Sequence, residues 1–567
     1  MYTYLKYRGL LFTGILCAIY VFFNTVTILL VSEPPDFERV PWSLDVLNEN
    51  EKRGINTQEN KLRKNNMFRV NENSFKLPDM SLDCNWLNSK NISTSITHIR
   101  FSKFEIYEDE TNADVHLVIR TFNAENVMKS RGGDFIVVLA NQIGGDGLIA
   151  GHVIDYQNGT YTGLLKIPWK GRTHVKVKFG AFHENTCLRM HSIDKFGLSV
   201  FSLRRPWGIR GKFVTGNNTV YTACSARSSI YGYKSFCNFT QMNDGESWFC
   251  GQPNTNVASC SNLRKFHSGP FSETVVALPT GDKIRNPTVQ YLKQSAEIYV
   301  NRSPSVSKSI VKCNERTPID SWKEIFQFPS GYWQNNTWNF VNCHSYLHYG
   351  ISTHRTCIQG KTIFLFGDST LRQYADYFIF QLAENKPLVN LRRFGDGATY
   401  HYRKVFINNN ANITYLKHAM PFTNYNVPVK NITGYASELR KIAESSTPGN
   451  RLVIIVGYHA HFQLYPIDVY QERMRNLVSA IKDLLKAKPM VKIFFKGPTF
   501  TFDDSHWFDN KITQVYIQMA FEEFNDIQDQ VTFLDTWSTS ITHETKSIHP
   551  SDNAFNAQLQ QLFTYLC

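Results

Sequence analysis

The chain lacks the cysteine spacing that a structural zinc site requires. None of its 11 cysteines is followed by a second cysteine three positions later, and no stretch has the ligand spacing of a zinc finger. No nucleic-acid-binding motif is present, and the net charge of +13 is spread along the chain instead of being gathered into one basic arm. We therefore predict no metal site and no nucleic-acid partner.

The composition excludes a disordered chain. Hydrophobic residues make up 42% and aromatic residues 14% of the sequence, which is enough to build packed cores. The length of 567 residues predicts more than one domain, since a domain has roughly 100–200 residues. The excess of positive charge predicts either a solvated basic surface or attraction to acidic glycans or lipid headgroups.

An apolar segment near the N-terminus predicts a membrane signal anchor. Residues 9–31 are interrupted only by threonine and one asparagine, and about 20 apolar residues are enough to cross a bilayer. Lys6 and Arg8 precede the segment and acidic residues follow it, which predicts a type II orientation with residues 1–8 in the cytosol. A cleaved signal peptide, which would make the protein secreted, is the alternative, but the segment is longer than the apolar part of such peptides. Residues 32–83 are polar and charged, and they predict a flexible stem.

Two features agree with a lumenal location for the rest of the chain. Cys17 lies in the apolar segment, so ten of the 11 cysteines remain, an even number that is typical of disulfides in an oxidising compartment. The pairing stays open, although Cys343 and Cys357 are close enough in sequence for a local bridge. Acceptor sites for N-glycosylation are also present. They lie at Asn91, Asn158, Asn217, Asn238, Asn301, Asn335, Asn412 and Asn431.

Residues 93–203 show short segments in which apolar and polar residues alternate. These segments are Val115–Arg120, Asp134–Leu139, Gly163–Ile167 and His174–Phe179. Turn residues rich in glycine and asparagine separate them, and this regular spacing predicts a β-sandwich. The stretch Phe213–Cys260 is rich in cysteine and is predicted to be loop-like and dependent on disulfides.

Strands and helices alternate in the C-terminal part of the chain. The predicted strands are Thr362–Phe366, Arg451–Val456, Val491–Phe495 and Val531–Asp535. Asp468 is the predicted N-cap of one amphipathic helix, and further helices are predicted over Lys511–Phe524 and Asn553–Tyr565. This alternation predicts an α/β domain with a mostly parallel sheet and an active site at the carboxyl ends of its strands.

The sequence Gly367-Asp368-Ser369 stands between the first of these strands and a helical pattern. A serine at such a junction is held at the rim of the sheet, and its backbone N–H points out of the helix N-terminus. The free N–H groups there can stabilise an oxyanion, so Ser369 is a candidate nucleophile.

Both parts of the chain resemble domains of one known family. Gly132–Phe135, Gly151–Tyr161 and Trp169–Gly171 are similar to the neurexophilin domain, and Ser330–Tyr332, Cys343, Cys357–Lys361 and Gly367–Arg372 are similar to the PC-esterase domain. The two in this order resemble the NXPE family. The resemblance implies a multidomain chain. It places an immunoglobulin-like β-sandwich with a cysteine-rich extension at residues 84–310. An α/β PC-esterase domain of the SGNH or GDSL-like class would follow at residues 311–567.

The resemblance also implies a histidine base near the C-terminal end, and His549 is the best match. A neutral imidazole suits this task because its pKa lies near operating pH. The identity of the acid that orients His549 stays open, because Lys546 stands where related proteins often have aspartate. Asp535, at a strand end, is the preferred candidate. Its alternative role is purely structural, namely to cap the loop that follows the strand. Glu544 or Asp552 could serve instead, or the site could be a Ser–His dyad.

The resemblance to the SGNH class also implies the hydrogen-bond donors of the oxyanion hole. They would be the Ser369 N–H and a glycine N–H, here that of Gly395 or Gly397. The class often adds an asparagine side chain, but the corresponding loop carries His459 and His461, of which His461 is the preferred donor. Two histidines without a third ligand do not predict a metal. Beside the nucleophile, Asp368 is expected to cap the helix and Arg372 to pair with it or with an acidic substrate.

The resemblance implies a lumenal enzyme of the Golgi or another secretory membrane. It would act on acyl esters, above all acetyl, on the glycans of glycoproteins, as an O-acetyltransferase or an esterase. We expect no bound cofactor, and acetyl-CoA is one candidate donor for which no motif is present. The alternative is a non-catalytic, neurexophilin-like glycoprotein that binds a cell-surface receptor. The departure at Lys546 favours this alternative, whereas the retained Ser369 and His549 favour the enzyme.

Overall fold

The computed structural model describes most of the chain beyond its first 83 residues. The described residues are 84, 95–108, 114–196, 207–230, 232–254, 256–270, 290–301, 311–327, 329–345, 349–382, 402–407, 411–421, 427–428, 434–502, 508–550 and 552–567. The predicted anchor over residues 9–31 lies outside them, as do the tail, the stem, Asn91, Asn431, Gly395 and Gly397. Among the described helices, none combines the length and apolar character needed to span a bilayer. All described residues belong to one compact unit, Ser74–Cys567.

Two antiparallel sheets pack against each other in the N-terminal part of this unit. Their strand orders are β1-β2-β6-β5 and β13-β7-β3-β4-β14-β15. The strands are β1 Lys103–Glu108, β2 Asp114–Arg120, β3 Phe135–Gln142, β4 Leu148–Ala150, β5 His152–Asp155, β6 Thr160–Lys166, β7 Gly171–Ala181, β13 Gln290–Val300, β14 Gly331–Gln334 and β15 Thr337–Phe340. Alternate residues of both sheets, such as Leu117 and Val177, meet in one hydrophobic core. The predicted sandwich is therefore present, and its immunoglobulin-like topology stays a prediction.

The second sheet of the sandwich also takes strands from beyond the predicted domain boundary at residues 310–311. Strand β14 pairs with β4 through Trp333 and Leu148, and β15 pairs with β14. The boundary itself remains a prediction, but the sandwich and the C-terminal domain are joined by backbone hydrogen bonds.

The stretch Phe213–Cys260 combines the predicted loops and turns with short strands that the sequence reasoning did not predict. It contributes to a sheet in the order β10-β11-β9-β8-β12-β19. The strands are β8 Trp207–Thr215, β9 Asn218–Ser225, β10 Phe236–Asn238, β11 Phe249–Gly251, β12 Leu263–Pro270 and β19 Val427–Pro428. Strands β10 and β11 have only three residues each, too few for a periodic pattern to show. The bridges Cys224–Cys250 and Cys237–Cys260 hold these short strands together, as the cysteine content predicted.

The C-terminal domain contains the predicted, mostly parallel sheet, in the order β17-β18-β16-β20-β21-β22. The strands are β16 Thr362–Gly367, β17 Tyr402–Ile407, β18 Ala411–Lys417, β20 Leu452–Gly457, β21 Lys492–Lys496 and β22 Val531–Leu534. Only β17 is antiparallel to its neighbour among the described strands of this sheet. Every residue of β20 is buried, which is expected of a central parallel strand covered on both faces. The alternating segment that forms β18 was missed in the sequence.

The helices lie around this sheet and at its junction with the sandwich. They are α1 His183–Phe196, α2 Pro318–Gln327, α3 Ile351–Ile358, α4 Ser369–Asp376, α5 Tyr435–Glu444, α6 Ile467–Ala487, α7 Asn510–Glu523, α8 Thr536–Thr542 and α9 Asp552–Leu566. The prediction that Asp468 caps α6 was wrong, because Pro466 occupies the N-cap position. Asp468 lies in the first turn, and its carboxylate pairs with Arg227 at 2.5 Å.

All ten described cysteines are paired, which confirms the prediction of disulfides. Besides the two bridges above, the pairs are Cys84–Cys187, Cys313–Cys343 and Cys357–Cys567. The prediction of a local bridge between Cys343 and Cys357 was wrong. The backbone at Cys313 hydrogen-bonds to His344, which brings Cys313 beside Cys343. Cys357, on α3, instead meets the residue that follows α9.

We expect Cys357→Ser/Cys567→Ser to lower the free energy of unfolding by about 3–5 kcal/mol, because this bridge closes a long loop in the unfolded chain. Its cysteines are 210 positions apart, against 26 for Cys224 and Cys250. The control Cys224→Ser/Cys250→Ser should cost about 2 kcal/mol less on loop entropy alone. Chemical denaturation measures both. An equal or larger loss in the control would show that loop entropy does not decide the difference.

Candidate active site

The candidate nucleophile Ser369 is the first residue of α4, directly after β16. The turn requires Gly367, because a Cβ there would lie 2.4 Å from the carbonyl oxygen of Gly457 on the neighbouring strand. Asp368 is the N-cap of α4 and accepts a hydrogen bond from the Thr370 N–H. The Ser369 N–H makes no hydrogen bond to any described residue. It is therefore free to donate at the helix N-terminus, where negative charge is also favoured by the helix dipole.

The fold brings His549 to this serine across 180 positions of sequence. His549 Nε2 lies 2.7 Å from Ser369 Oγ, which is hydrogen-bond distance. His549 belongs to the segment that joins α8 to α9. Gln373 of α4 donates a hydrogen bond to the Pro550 carbonyl at 3.0 Å, which ties this segment to the nucleophile helix. The sequence prediction named both members of the pair, and only the fold could place them together.

Burial lowers the pKa of His549 below its usual 6.5. Asp368 acts to raise it, whereas Arg372 and Lys496 act to lower it further. The imidazole is therefore neutral near pH 7. In this state it can accept the Ser369 proton as a general base.

We expect the acid limb of the pH profile of kcat/KM to have its midpoint below pH 6.5, because the base must be neutral and its pKa is lowered. Arg372→Met should move this midpoint to higher pH, since removing a cation stabilises the imidazolium. Lys441→Met is the control, because Lys441 is 66% exposed and pairs with Glu438 on α5. Initial rates on an acyl ester measure the profile. A midpoint above 6.5, or a downward shift in Arg372→Met, would contradict this assignment.

No described carboxylate hydrogen-bonds to His549 Nδ1. Asp535 caps α8 by accepting from the Ser538 N–H at 2.9 Å, which is the structural role that the sequence also allowed. Glu544 is paired with Lys176 at 3.0 Å. The side chain of Asp552 lies outside the described part of the chain. The described contacts thus contain a Ser–His pair, and Asp552 as its orienting acid stays a prediction.

The carboxylate of Asp368 joins the nucleophile turn to the loop after β20. One oxygen accepts from the Thr370 N–H at 2.9 Å and the Thr370 hydroxyl at 2.7 Å. The other accepts from the N–H groups of His459 at 3.2 Å and Ala460 at 3.3 Å. Its side chain is completely buried, so these four donors replace the water that an ionised carboxylate needs. Capping of α4, which is the predicted role of Asp368, thus accounts for only two of the four hydrogen bonds that its carboxylate accepts.

Burial alone would raise the pKa of Asp368, but His459, His461, Lys496 and the Thr370 hydrogen bond hold it well below its usual value. Burial also lowers the pKa of His459 to about 4, and that of His461 well below 6.5. Both rings are neutral near pH 7. The carboxylate of Asp368 is therefore stabilised at this pH by the positive charge of Lys496 and by the hydrogen bonds donated to it. The buried charge beside Ser369 is therefore a permanent carboxylate.

Lys496 is a functional candidate that the sequence reasoning missed. It is the last residue of β21, and its ammonium donates to Thr370 Oγ1, Thr499 Oγ1 and the Gly497 carbonyl, each at 3.2 Å. Burial lowers its pKa to about 8, against the opposing effect of Asp368. The sequence did contain a signal for Lys496, namely a lysine at the end of an apolar strand. In a parallel sheet the carboxyl ends of the strands meet at the edge where active sites lie.

His461 is engaged with His418, a second residue that the sequence reasoning missed. His418 Nδ1 lies 2.6 Å from the Ala419 carbonyl, which can only accept, so this nitrogen carries the proton. In the neutral ring His418 Nε2 is then an acceptor, and His461 Nδ1, 2.8 Å away, must donate to it. The remaining nitrogen of neutral His461 carries no proton. This tautomer does not suit the predicted role of His461 as an oxyanion donor.

The other predicted site residues lie close to the pair or outside the described residues. His459 Nδ1 is 3.7 Å from the Asp368 carboxylate. Arg372 is on α4, with its Nε 3.8 Å from Asp376. Gly395 and Gly397 lie outside the described part of the chain. The described residues contain no group of three potential metal ligands.

The glycosylation acceptors differ in their accessibility. Asn158, Asn217, Asn238, Asn301 and Asn335 are exposed. Asn412 is half-buried in β18, its N–H donates to the Lys361 carbonyl, and its side-chain oxygen is buried. The geometry of the exposed acceptors suits glycosylation, and that of Asn412 does not.

Comparison with known proteins finds a family model that matches the C-terminal part of the chain, and a solved structure that is similar to part of the chain. Residues 338–567 match the family described as NXPE family member 4-like, C-terminal domain. A crystal structure of a member of the lipolytic protein G-D-S-L family from Veillonella parvula DSM 2008 is similar at 14% identity, with a TM-score of 0.22. The similarity covers 36% of this chain and 96% of that chain.

Proposed function

Because the chain belongs to the NXPE family through its C-terminal domain, we propose that it is a serine-dependent enzyme that transfers or hydrolyses acyl groups. The observation that carries this proposal is the 2.7 Å hydrogen bond between Ser369 Oγ and His549 Nε2. A serine hydroxyl is a weak nucleophile unless a neighbouring base takes its proton. Here the base is neutral, and the free N–H at the start of α4 can receive the negative charge that develops.

The reaction has two balanced halves. Ser369 Oγ attacks the acyl carbonyl carbon while its proton passes to His549 Nε2, and the Ser369 N–H donates to the oxyanion. The bond between the carbonyl carbon and the leaving group then breaks. The imidazolium returns the proton to the leaving oxygen of an oxygen ester, or to the leaving sulfur where the donor is a thioester such as acetyl-CoA. In the second half His549 takes a proton from a sugar hydroxyl or from water. The resulting nucleophile attacks the acyl-serine, and Ser369 recovers its proton from His549 as it departs.

The proposed substrate is an acetyl ester on a glycan, handled in the lumen of the Golgi or another secretory membrane. Five disulfides among the described cysteines and the exposed glycosylation acceptors suit an oxidising, glycosylating compartment. The anchor over residues 9–31 would hold the chain beside passing glycoproteins. Acetyl-CoA or another acyl carrier would act as a co-substrate and not as a bound cofactor.

Mass spectrometry of released cell-surface glycans tests the proposal, in cells that express the wild type or Ser369→Ala. A Ser369-dependent gain of O-acetyl groups indicates a transferase, and a Ser369-dependent loss indicates an esterase. No difference, with both proteins glycosylated and localised alike, would contradict the proposed substrate. Labelling with a serine-directed fluorophosphonate then separates a wrong substrate from a wrong activity, because an activated Ser369 reacts whatever its natural substrate.

One observation favours the alternative of a non-catalytic, receptor-binding glycoprotein. Within the described residues, no carboxylate accepts a hydrogen bond from His549 Nδ1, so no described side chain supplies the orienting partner of a full triad. The same fluorophosphonate experiment decides between the two functions. If Ser369 in folded wild-type protein stays unlabelled, the receptor-binding function is the one to pursue.

A further inference from the structure

The segment that carries His549 is anchored on the sandwich as well as on the C-terminal domain. It begins after α8 with Glu544, whose φ of 49° lies in the left-handed region that is uncommon for residues other than glycine. Such a conformation costs free energy, so it persists where surrounding contacts hold the residue in place. Glu544 is followed five positions later by His549.

The side chain of Glu544 faces two lysines of strand β7 of the sandwich. Lys176 Nζ lies 3.0 Å from one carboxylate oxygen, and Lys178 Nζ lies 4.0 Å from the other. The side chains of Lys176 and Glu544 are each only 19% exposed. An ion pair so well screened from water is worth more than one at the surface. The two lysines point the same way because successive side chains of a strand alternate between its faces.

Further contacts surround this ion pair. Lys178 Nζ also lies 3.3 Å from the ring centroid of Phe502, a cation–π contact. Phe502 donates its N–H to the Thr545 carbonyl at 2.7 Å, so the residue after Glu544 is fixed too. Phe500 and Phe502 share a core with Phe135 of β3 and Trp537 of α8. The sandwich therefore packs directly under the start of the His549 segment.

The other end of the segment is held by the Gln373–Pro550 hydrogen bond described above. His549 thus lies between two anchors, one on the sandwich and one on the nucleophile helix. A displacement at Glu544 would pass along five residues to the imidazole. Misplacing a catalytic group by about 1 Å can cost as much as 100-fold in rate.

We propose that Lys176 of the sandwich is a positioning residue for His549, acting through Glu544. The sandwich then has a part in catalysis that does not require it to touch the substrate. The kinetic half of this proposal rests on the proposed function, since it concerns the base of the acyl transfer. The structural half, that Lys176 holds the segment 543–550, can be tested without any activity.

The test uses the full-length chain with Lys176→Met, Lys176→Arg and the control Arg172→Met. Arg172 is on the same strand, but its ion pair with Glu297 is exposed, with 63% and 56% exposure of the two side chains. Hydrogen exchange in the peptide 543–550 should be faster in Lys176→Met than in Arg172→Met, because a local anchor is lost. Lys176→Arg keeps the charge and should exchange like the wild type.

Kinetics on p-nitrophenyl acetate and the rate of fluorophosphonate labelling supply the second readout. We expect Lys176→Met to lower kcat and the labelling rate about 10-fold with KM little changed, while Lys176→Arg and Arg172→Met retain the wild-type values. Equal exchange in Lys176→Met and Arg172→Met would overturn the anchoring. Faster exchange with unchanged kcat would overturn the positioning role. A wild type that neither turns over nor labels would refute the proposed function, and exchange would still decide the anchoring.

Discussion

Ser369→Ala should lower kcat/KM for an acyl ester by at least about 1,000-fold and abolish fluorophosphonate labelling. The alanine removes the hydroxyl that would form the proposed acyl-enzyme, and His549 loses the hydrogen bond to Ser369 Oγ. His549→Gln should cause a loss of similar size, because the glutamine cannot take the proton. Initial rates on p-nitrophenyl acetate measure both.

The double variant Ser369→Ala/His549→Gln should be no slower than the worse single variant, because the two residues act as a unit. Ser352→Ala is the matched control, since Ser352 is an exposed serine in the first turn of α3. It should keep the wild-type rate. Losses that multiply in the double variant would show that Ser369 and His549 act independently, which would refute the proposed pair.

Asp368→Asn should lower the free energy of unfolding by about 3 kcal/mol. The change is nearly isosteric, but the carboxylate receives four hydrogen bonds, two at each oxygen. An amide NH₂ would have to face donors at one of these positions, either at Thr370 or at the N–H groups of His459 and Ala460. The variant also leaves the Lys496 ammonium buried without its carboxylate.

Chemical denaturation at pH 7 measures this loss. Asp468→Asn is the control, because Asp468 is 60% exposed in its pair with Arg227, and it should cost less than about 1 kcal/mol. A loss no larger than the control's would mean that water or structural relaxation satisfies the amide, and Asp368 would not be the rigid link described above.

Asp368→Asn should also change how the free energy of unfolding depends on pH. The pKa of Asp368 is depressed in the folded state, so its contribution is present above the pKa of the unfolded chain and is lost as the pH falls below about 4. Asp368→Asn lacks this titration. Its stability should therefore fall less steeply than that of the wild type between about pH 4 and pH 2.

Local patterns were sufficient to predict much of the fold. The apolar run of β20 and the stripe of α6 are each visible within one segment, because burial on two faces or on one imposes its own period on the sequence. Apart from the N-cap of α6, which is a local feature, several of the errors concern features that depend on distant partners. Strand β18 was missed, and the pairing of Cys357 with Cys567 joins positions that no local rule connects.

By itself, the sequence determined that a serine stands between a strand and a helix, because that pattern depends on short-range order along the chain. The candidate base near the C-terminus, His549, was implied by the resemblance to a known family. Only the tertiary structure decided that Ser369 and His549 meet, that Asp368 links two loops with Lys496 nearby, and that Glu544 is held by the sandwich. The physical reason is that hydrogen bonds and ion pairs act over a few ångströms. They exist only after the fold has brought residues distant in sequence together, at the edge of the parallel sheet for Ser369, His549 and Asp368 and against the sandwich for Glu544.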